Sequence, residues 1–122
     1  MPEKHVIAVD LDGTLAHHEE GQDEVGEPIQ PMMDRVRKWD QDGHTVRIHT
    51  ARCNFPGQFP KVKAWLRKHE LDHLEVTNRK KGDESHFYDD RAVAVERNTG
   101  RILGGEEPDK DWEQEAREEV KE

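Results

Sequence analysis

The sequence predicts one α/β domain built on a small, mostly parallel β-sheet. Four short apolar runs rich in β-branched residues have the length of buried strands and lie at residues 6–9, 46–48, 74–76 and 92–95. Segments with helical spacing of apolar side chains separate the first three of these runs. The chain of 122 residues is long enough for one hydrophobic core and too short for two.

The composition predicts a thin core under a heavily solvated surface. Charged residues make up 39% of the chain and apolar residues 31%, and the mean hydropathy is −1.16. Such values lean toward the disordered end of the range for globular proteins. Because the apolar residues cluster in runs instead of being scattered, we nevertheless expect a packed sheet.

The net charge of −9 argues against a general affinity for nucleic acid or for anionic membranes, although it is compatible with a local basic pocket. The single cysteine, Cys53, cannot form an internal disulfide and suits a reducing compartment. The chain shows no signal-peptide pattern and no apolar run of membrane-spanning length. We therefore expect a cytoplasmic protein with no membrane partner and no extended nucleic-acid interface.

The first predicted strand is followed by Asp10 and Asp12, and then by a turn at Gly13 and Thr14. Ligands of open α/β sheets bind beyond the carboxyl ends of the strands, where these two acids lie. Two such carboxylates repel each other unless a cation neutralises them or one keeps a proton. A polar turn after a strand is the plain alternative, and the complete run from Asp10 to Leu15 argues against it.

Residues 16–28 are polar and acidic without periodicity, which predicts a loop near the entrance of the site. This loop contains four potential metal ligands, His17, His18, Glu19 and Glu20. Their spacing matches no usual zinc pattern, so a solvated loop is the favoured interpretation.

Three helices are predicted. The first begins at Pro31 and ends before residue 42, the second covers residues 61–69, and the third follows Pro108 and covers residues 109–121. Their apolar stripes are formed by Met32, Val36 and Trp39, by Val62, Trp65 and Leu66, and by Trp112, Ala116 and Val120, respectively. We expect the first two stripes to pack in the core, and the third to dock on the domain or on a partner.

The second predicted strand ends at Thr50 and is followed by Ala51 and Arg52. A hydroxyl, backbone N–H groups and a guanidinium at the end of a strand are suited to holding a phosphate, although a threonine at this position is unremarkable alone. The third strand leads into residues 78–83, a dense basic cluster that includes Lys80 and Lys81. A charge run is usually a solvated face, but at this edge of an acidic protein it indicates a local anion site.

Asp89 and Asp90 form a second acid pair, which lies before the apolar run at residues 92–95. Adjacent carboxylates rarely lie together without a cation or basic partners, so the pair is a candidate metal-binding element. A turn at residues 98–100 then allows residues 101–103 to pair back as a short strand.

The run from Asp10 to Leu15 resembles the first signature of the haloacid dehalogenase (HAD) superfamily, most of whose members are magnesium-dependent phosphatases. Thr50, Lys80 and the Asp89–Asp90 pair resemble the second, third and fourth signatures, and Lys81 fits the third almost as well. The resemblance spans residues 6–95 and implies a Rossmann-like three-layer sandwich with a central, mostly parallel sheet and no cap domain. We expect this core at residues 1–106 and an acidic amphipathic helix at residues 107–122.

The resemblance also implies a mechanism. Asp10 would attack phosphorus to form an aspartyl-phosphate, and Asp12 would act as general acid and then as general base. Mg²⁺ would be held by an oxygen of Asp10, the backbone carbonyl of Asp12, and Asp89 or Asp90. The phosphate-binding set would be Thr50, Ala51, Arg52 and Lys80.

The acid at position 12 favours phosphate-ester hydrolysis, because superfamily dehalogenases and transport ATPases lack it. An open, capless site suits a large substrate such as a nucleic-acid end or a protein, or a small one enclosed by oligomerisation. Residues 50–52 and 88–91 are similar to the phosphatase domain of phage polynucleotide kinase-phosphatases, which implies nucleotides or 3′-phosphate ends. The alternatives are a module that binds phosphorylated ligands or a partner without turnover, and transfer to an acceptor other than water.

Overall fold

The structure is a computed structural model that describes residues 3–104. Its central element is an all-parallel sheet of four strands: β1 (Val6–Asp10), β2 (Thr45–His49), β3 (Glu75–Thr77) and β4 (His86–Tyr88). The strands are ordered β3-β2-β1-β4, so β1 lies between β2 and β4. The predicted α/β class and parallel sheet are confirmed.

Two helices connect the first three strands, namely α1 (Gln30–Gln41) and α2 (Gln58–Lys68). A short 3₁₀ helix, Ala51–Asn54, lies between β2 and α2. The helix α2 begins before its predicted start at residue 61, because Pro60 falls in the first turn, where its missing N–H removes no intrahelical hydrogen bond. Neither helix of the described part of the chain is long and apolar enough to cross a bilayer.

Both helices pack against the same face of the sheet. The strand register places Ile7 and Val9 of β1 on one face with Val46 and Ile48 of β2, and all four lie in the buried apolar core. The helices add Met33, Val36, Val62, Trp65 and Leu66 to this core. The order β1, β2, β3 advances in one direction across the sheet, so right-handed crossovers place both helices on one side.

The opposite face is covered by polar side chains of the connection between β3 and β4. Arg47 of β2 lies on this face, and its Nη1 and Nη2 donate hydrogen bonds of 2.6 and 2.9 Å to the carboxylate of Asp83. The side chain of Glu84 is 1% exposed, and its Oε2 lies 3.6 Å from Arg47 Nη1. Among residues 3–104, the layer on this face is therefore a connecting segment instead of a helix.

The predicted strand at residues 92–95 is wrong. These residues are exposed, and only Val95 forms a bridge, antiparallel to Ile102. The fourth strand is instead β4, which lies immediately before the second acid pair. Its three residues, His-Phe-Tyr, pair with β1 through the backbone without forming an aliphatic run, so the search for apolar runs missed it.

The chain divides into two compact units, Met1–Arg91 and Ala92–Glu122. In the second unit, the Val95–Ile102 bridge bears out the predicted return of residues 101–103, with the turn at Asn98 between them. The predicted helix at residues 109–121 and the domain boundary at residue 106 lie outside the described residues.

Candidate active site

Three carboxylates meet at the carboxyl ends of two adjacent strands. Asp10 ends β1, and Asp89 and Asp90 directly follow β4, its neighbour in the sheet. One carboxylate oxygen from each residue lies within 4.8 Å of the others. Both acid motifs therefore follow strand ends, which is where ligands bind in parallel α/β sheets.

The turn after β1 brings Asp10 and Asp90 together. The hydroxyl of Thr14 lies 2.9 Å from Oδ1 of Asp90 and 3.4 Å from Oδ2 of Asp10, and it accepts a 3.0 Å hydrogen bond from the Asp90 backbone N–H. The turn passes through Gly13 at φ 91°, where an added Cβ would lie 2.5 Å from Oδ2 of Asp90. Gly13 thus leaves room for Asp90 to approach Asp10, and the hydrogen bonds of Thr14 hold Asp90 there.

The close approach of these acids changes their proton affinities. Burial, a hydrogen bond with Asp90, and the charges of Asp89, Asp90 and Asp12 together raise the pKa of Asp10 to about 7. Burial alone would raise the pKa of Asp90, but hydrogen bonds from the Asp10 carboxyl and the Thr14 hydroxyl outweigh it and lower the pKa. The two carboxyl groups therefore titrate as a coupled pair, in which one proton is held more tightly than by an isolated aspartate.

The donor set of this cluster fits a hard divalent cation. Carboxylate oxygens are the ligands that Mg²⁺ and Ca²⁺ prefer, and a cation would counteract the burial and the repulsion that raise the pKa of Asp10. The carboxylate of Asp12 lies outside the cluster because it pairs elsewhere. A role of its backbone carbonyl as a metal ligand stays a prediction.

Asp12 is held by Arg52 through two parallel hydrogen bonds. Nε of Arg52 lies 2.8 Å from Oδ2, and Nη2 lies 3.0 Å from Oδ1. The remaining donors of the guanidinium reach the backbone carbonyls of Asp23 and Glu24 and, at 2.7 Å, Oε1 of Gln58. All five N–H donors of Arg52 are thereby engaged.

This arrangement bears on the predicted phosphate-binding role of Arg52. The guanidinium would have to release some of these partners before it could hold a phosphate. In the conformation described, it instead fixes Asp12 and ties the loop of residues 16–28 to the start of α2. The role of Arg52 in phosphate binding stays a prediction.

The acid cluster opens into a cleft of about 640 Å³, which we call the main cleft. Its lining includes Asp10, Asp12, Thr50, Asn78, Asp89 and Asp90. Thr50 is buried and its Oγ1 accepts a 3.1 Å hydrogen bond from the backbone N–H of Arg52, which leaves its hydroxyl proton to be donated. Ala51 also lines this cleft, so two of the predicted phosphate-binding residues lie beside the acids.

Neither candidate lysine lines the main cleft. The Nζ of Lys80 lies 5.1 Å from the ring centroid of Phe87, which in turn packs edge-on at 5.7 Å against the ring of His49. Burial lowers the pKa of His49, a cleft residue, and the charges of Arg47 and Lys80 act in the same direction. Lys81 is paired with Glu75. The ring of Phe87 thus lies between Lys80 and the cleft residue His49, whereas Lys81 is held by Glu75.

Several residues of the site were missed by the sequence analysis. Thr14 lies within the motif from Asp10 to Leu15, but the sequence does not show that its hydroxyl contacts Asp90. Asn78 lines the cleft and donates a 2.6 Å hydrogen bond to Asn54 Oδ1, and His18 Nδ1 lies 3.5 Å from Asp12 Oδ1. In the sequence, His18 stands out only as a potential metal ligand and Asn78 only as the first residue of the basic segment 78–83, and no pattern identifies His49.

No protein-family model and no curated protein sequence matches this chain. The structure is similar to that of a conserved protein from Bacteroides thetaiotaomicron, with a TM-score of 0.59 and 23% sequence identity over 84% of each chain. At this identity the likeness supports the fold alone, an α/β Rossmann-like arrangement.

Proposed function

We propose that the protein is a magnesium-dependent phosphomonoester hydrolase of the HAD superfamily that acts through an aspartyl-phosphate on Asp10. The observation that carries this proposal is the meeting of Asp10, Asp89 and Asp90 within 4.8 Å at the carboxyl ends of adjacent parallel strands. Such a cluster is costly to hold together without a cation, and it opens into a cleft large enough for a small ligand.

Asp10, Asp89 and Asp90 are the side chains that would hold the metal ion. A bound Mg²⁺ would neutralise the charge of the acid cluster and the charge of a nearby phosphoryl oxygen of the substrate. With its repulsive neighbours neutralised, Asp10 would remain ionised near neutral pH, as a carboxylate nucleophile requires.

The residues of the main cleft support a two-step displacement. An oxygen of Asp10 bonds to phosphorus while the bond to the ester oxygen breaks, and Asp12 gives its proton to the departing oxygen. Asp12 then takes a proton from water, whose oxygen bonds to phosphorus as the bond to Asp10 breaks. In this scheme the Thr50 hydroxyl, which faces the main cleft, would donate a hydrogen bond to a non-bridging oxygen.

Arg52 would act as a positioning residue for Asp12 in this scheme. Its two parallel hydrogen bonds fix the carboxylate at the margin of the main cleft. The two oxygens of Asp12 each accept one bond from Arg52, so Arg52 would set the direction in which Asp12 faces the ester oxygen.

The proposal is tested by phosphate release with Mg²⁺ and with excess chelator. The panel contains an aryl phosphate, sugar phosphates, mononucleotides and a 3′-phosphorylated oligonucleotide. Asp10→Asn removes the nucleophile, and Asp34→Asn, an exposed acid of α1, is the matched control. We expect metal-dependent release by the native chain and the control, and none by Asp10→Asn.

Three outcomes would redirect the proposal. Binding of phosphorylated compounds by a folded, metal-bound chain without release would favour a binding module. Release that rises only when an alcohol or nucleotide acceptor is added would favour phosphotransfer. Activity that appears only in an oligomer would favour a small-metabolite phosphatase closed by a second copy.

A further inference from the structure

A second, smaller cleft adjoins the main one on the side of Asp12. This side cleft has a volume of about 340 Å³, at the lower end of the range for small-molecule sites. It shares Asp12, His18 and Ala51 with the main cleft, and Phe55 lies in its wall. We propose that the side cleft receives the leaving group of the substrate as a flat, uncharged ring that stacks on Phe55. This inference rests on the proposed phosphatase function and names its substrate class.

The position of Asp12 decides where a leaving group would lie. In the proposed reaction Asp12 protonates the departing ester oxygen, so that oxygen must be on the Asp12 side of the phosphorus atom. Asp10 and the second acid pair line the main cleft and not the side cleft. The phosphoryl group therefore belongs to the main cleft, and the group beyond the ester oxygen enters the side cleft.

The charges of the side cleft select against an anionic leaving group. Among the described residues of its lining, Arg52 is the one lysine or arginine, and its five N–H donors are already engaged. His18, also in the lining, lies 3.5 Å from Asp12, and Asp23 is paired with the nearby Lys61. A second phosphate or a carboxylate on the leaving group would meet Asp12 and Asp23, and it would have to compete with these carboxylates for the basic groups that already pair with them.

Phe55 is placed to give the stacking surface. Its side chain is 62% exposed, so the ring contributes little to the core. Its backbone is fixed on both sides, since its N–H donates to the Arg52 carbonyl at 3.1 Å and its carbonyl accepts from the Gln58 N–H at 3.3 Å. Because the backbone of Phe55 is fixed, stacking on its ring costs only the freedom of its two side-chain torsions.

The polar groups of the side cleft predict tolerance toward the identity of the ring. Both amide groups in its wall are held in place by the protein through their oxygen and their nitrogen, since Gln22 bonds to Glu19 and Glu24 and Gln58 bonds to Arg52 and Asp23. Recognition would therefore come from the face of the ring and not from its edges. Stacking of this kind is tolerant because every aromatic ring has a π-face.

The experiment compares wild type, Phe55→Ala, Phe55→Tyr and Phe59→Ala on three substrates. Phe59 is a matched control because it is also an exposed phenylalanine, on α2, and does not line the side cleft. The substrates are phenyl phosphate, its para-carboxylate derivative and glycerol phosphate. Ratios of variant to wild type cancel the intrinsic reactivity of each ester.

For phenyl phosphate, we expect Phe55→Ala to lower kcat/KM by roughly tenfold, mainly through KM, with rescue by Phe55→Tyr. Glycerol phosphate should change less than twofold, and Phe59→Ala should change neither substrate. The carboxylated ester should be the poorer of the two aryl substrates in the wild type. Equal effects of Phe55→Ala on phenyl and glycerol phosphate would overturn the proposal.

Binding of phenylphosphonate and methylphosphonate in the presence of Mg²⁺ separates the two hypotheses. Asp10-dependent turnover with no Phe55 preference would overturn the ring site and leave the phosphatase. Tighter, Phe55-dependent binding of phenylphosphonate by a chain without turnover would support the ring site and refute the phosphatase.

Discussion

The guanidinium of Arg52 donates two parallel hydrogen bonds, of 2.8 and 3.0 Å, to the carboxylate of Asp12. The two residues come from the ends of neighbouring strands, since Asp12 follows β1 and Arg52 follows β2. Both side chains are largely buried, with exposed fractions of 10% for Arg52 and 20% for Asp12. The pair therefore joins the first and second motifs into one unit.

We expect Arg52→Lys to reduce activity strongly, because an ammonium group cannot reproduce the planar two-pronged contact. A double-mutant cycle with Asp12→Asn should give a coupling free energy of about 1–3 kcal/mol in thermal unfolding. Lys61→Arg, which keeps the charge next to Asp23, is the control. A coupling free energy near zero would show that the pair adds nothing to stability.

The acid cluster should destabilise the metal-free protein at high pH. The pKa of Asp10 is about 7 in the folded chain, whereas that of a free aspartate is 3.8. The folded state therefore binds this proton more tightly than the unfolded state does. The resulting contribution to stability is full at pH below 3.8, falls as the pH rises, and is lost above pH 7. Asp10→Asn, which cannot ionise, should lack this decline.

The measurement is thermal unfolding in excess chelator from pH 5 to pH 8. The native chain should lose stability relative to Asp10→Asn over this range, and added Mg²⁺ should restore stability only to the native chain. A constant difference between the two proteins across the range would contradict the raised pKa of Asp10.

Gly13→Ala should displace Asp90 from the acid cluster in addition to straining the backbone. The new methyl group would lie 2.5 Å from a carboxylate oxygen of Asp90 and push this residue away from Asp10. Gly82→Ala is the matched control, because Gly82 has φ 95° and nothing within 4 Å of the added Cβ. Both variants pay the cost of a left-handed backbone, of order 1 kcal/mol.

The readout for this pair of variants is affinity for Mg²⁺ by calorimetry. We expect a loss of tenfold or more for Gly13→Ala, comparable to the loss of a supporting contact at a metal site, and little change for Gly82→Ala. Similar affinities in the two variants would mean that Asp90 is not positioned through Gly13.

Replacement of Lys80 should be more damaging than replacement of Lys81. Lys80 lies over Phe87 and close to the cleft residue His49, and rotation of its flexible side chain would bring the ammonium toward a bound phosphate. Lys81 is held by Glu75 on the outer strand β3. Comparing kcat/KM for Lys80→Ala and Lys81→Ala decides the assignment, and a larger loss for Lys81→Ala would reverse it.

The sequence was most informative where chemistry and strand order coincide. Asp10 at the end of an apolar run predicted the strand and an acid at its carboxyl end, because buried parallel strands are continuous apolar segments and ligands bind beyond their carboxyl ends. Thr50 was placed correctly beside the acids for the same reason. The role of Asp10 stays a prediction. The helices followed from Pro31 and from the spacing of Val36 and Val62, with errors of one to three residues at their ends.

The sequence was least informative about side chains that choose among several partners. Arg52 was predicted to bind phosphate, and that role stays a prediction. Its five donors face Gln58, six residues away, and Asp12 and two loop carbonyls, which lie 28 or more residues away in sequence. The strand β4 was missed because its pairing is made by backbone atoms next to β1. Both features depend on long-range contacts, which periodicity does not record.

The most direct test of the account is to look for a phosphoryl group on Asp10. The protein is mixed with Mg²⁺ and an aryl phosphate, quenched in acid during turnover, and digested for peptide mass spectrometry. We predict one added phosphoryl group on the peptide that contains Asp10, at higher occupancy in Asp12→Asn, where hydrolysis of the intermediate lacks its base. Phosphate release without any modification of Asp10 would contradict the proposed mechanism.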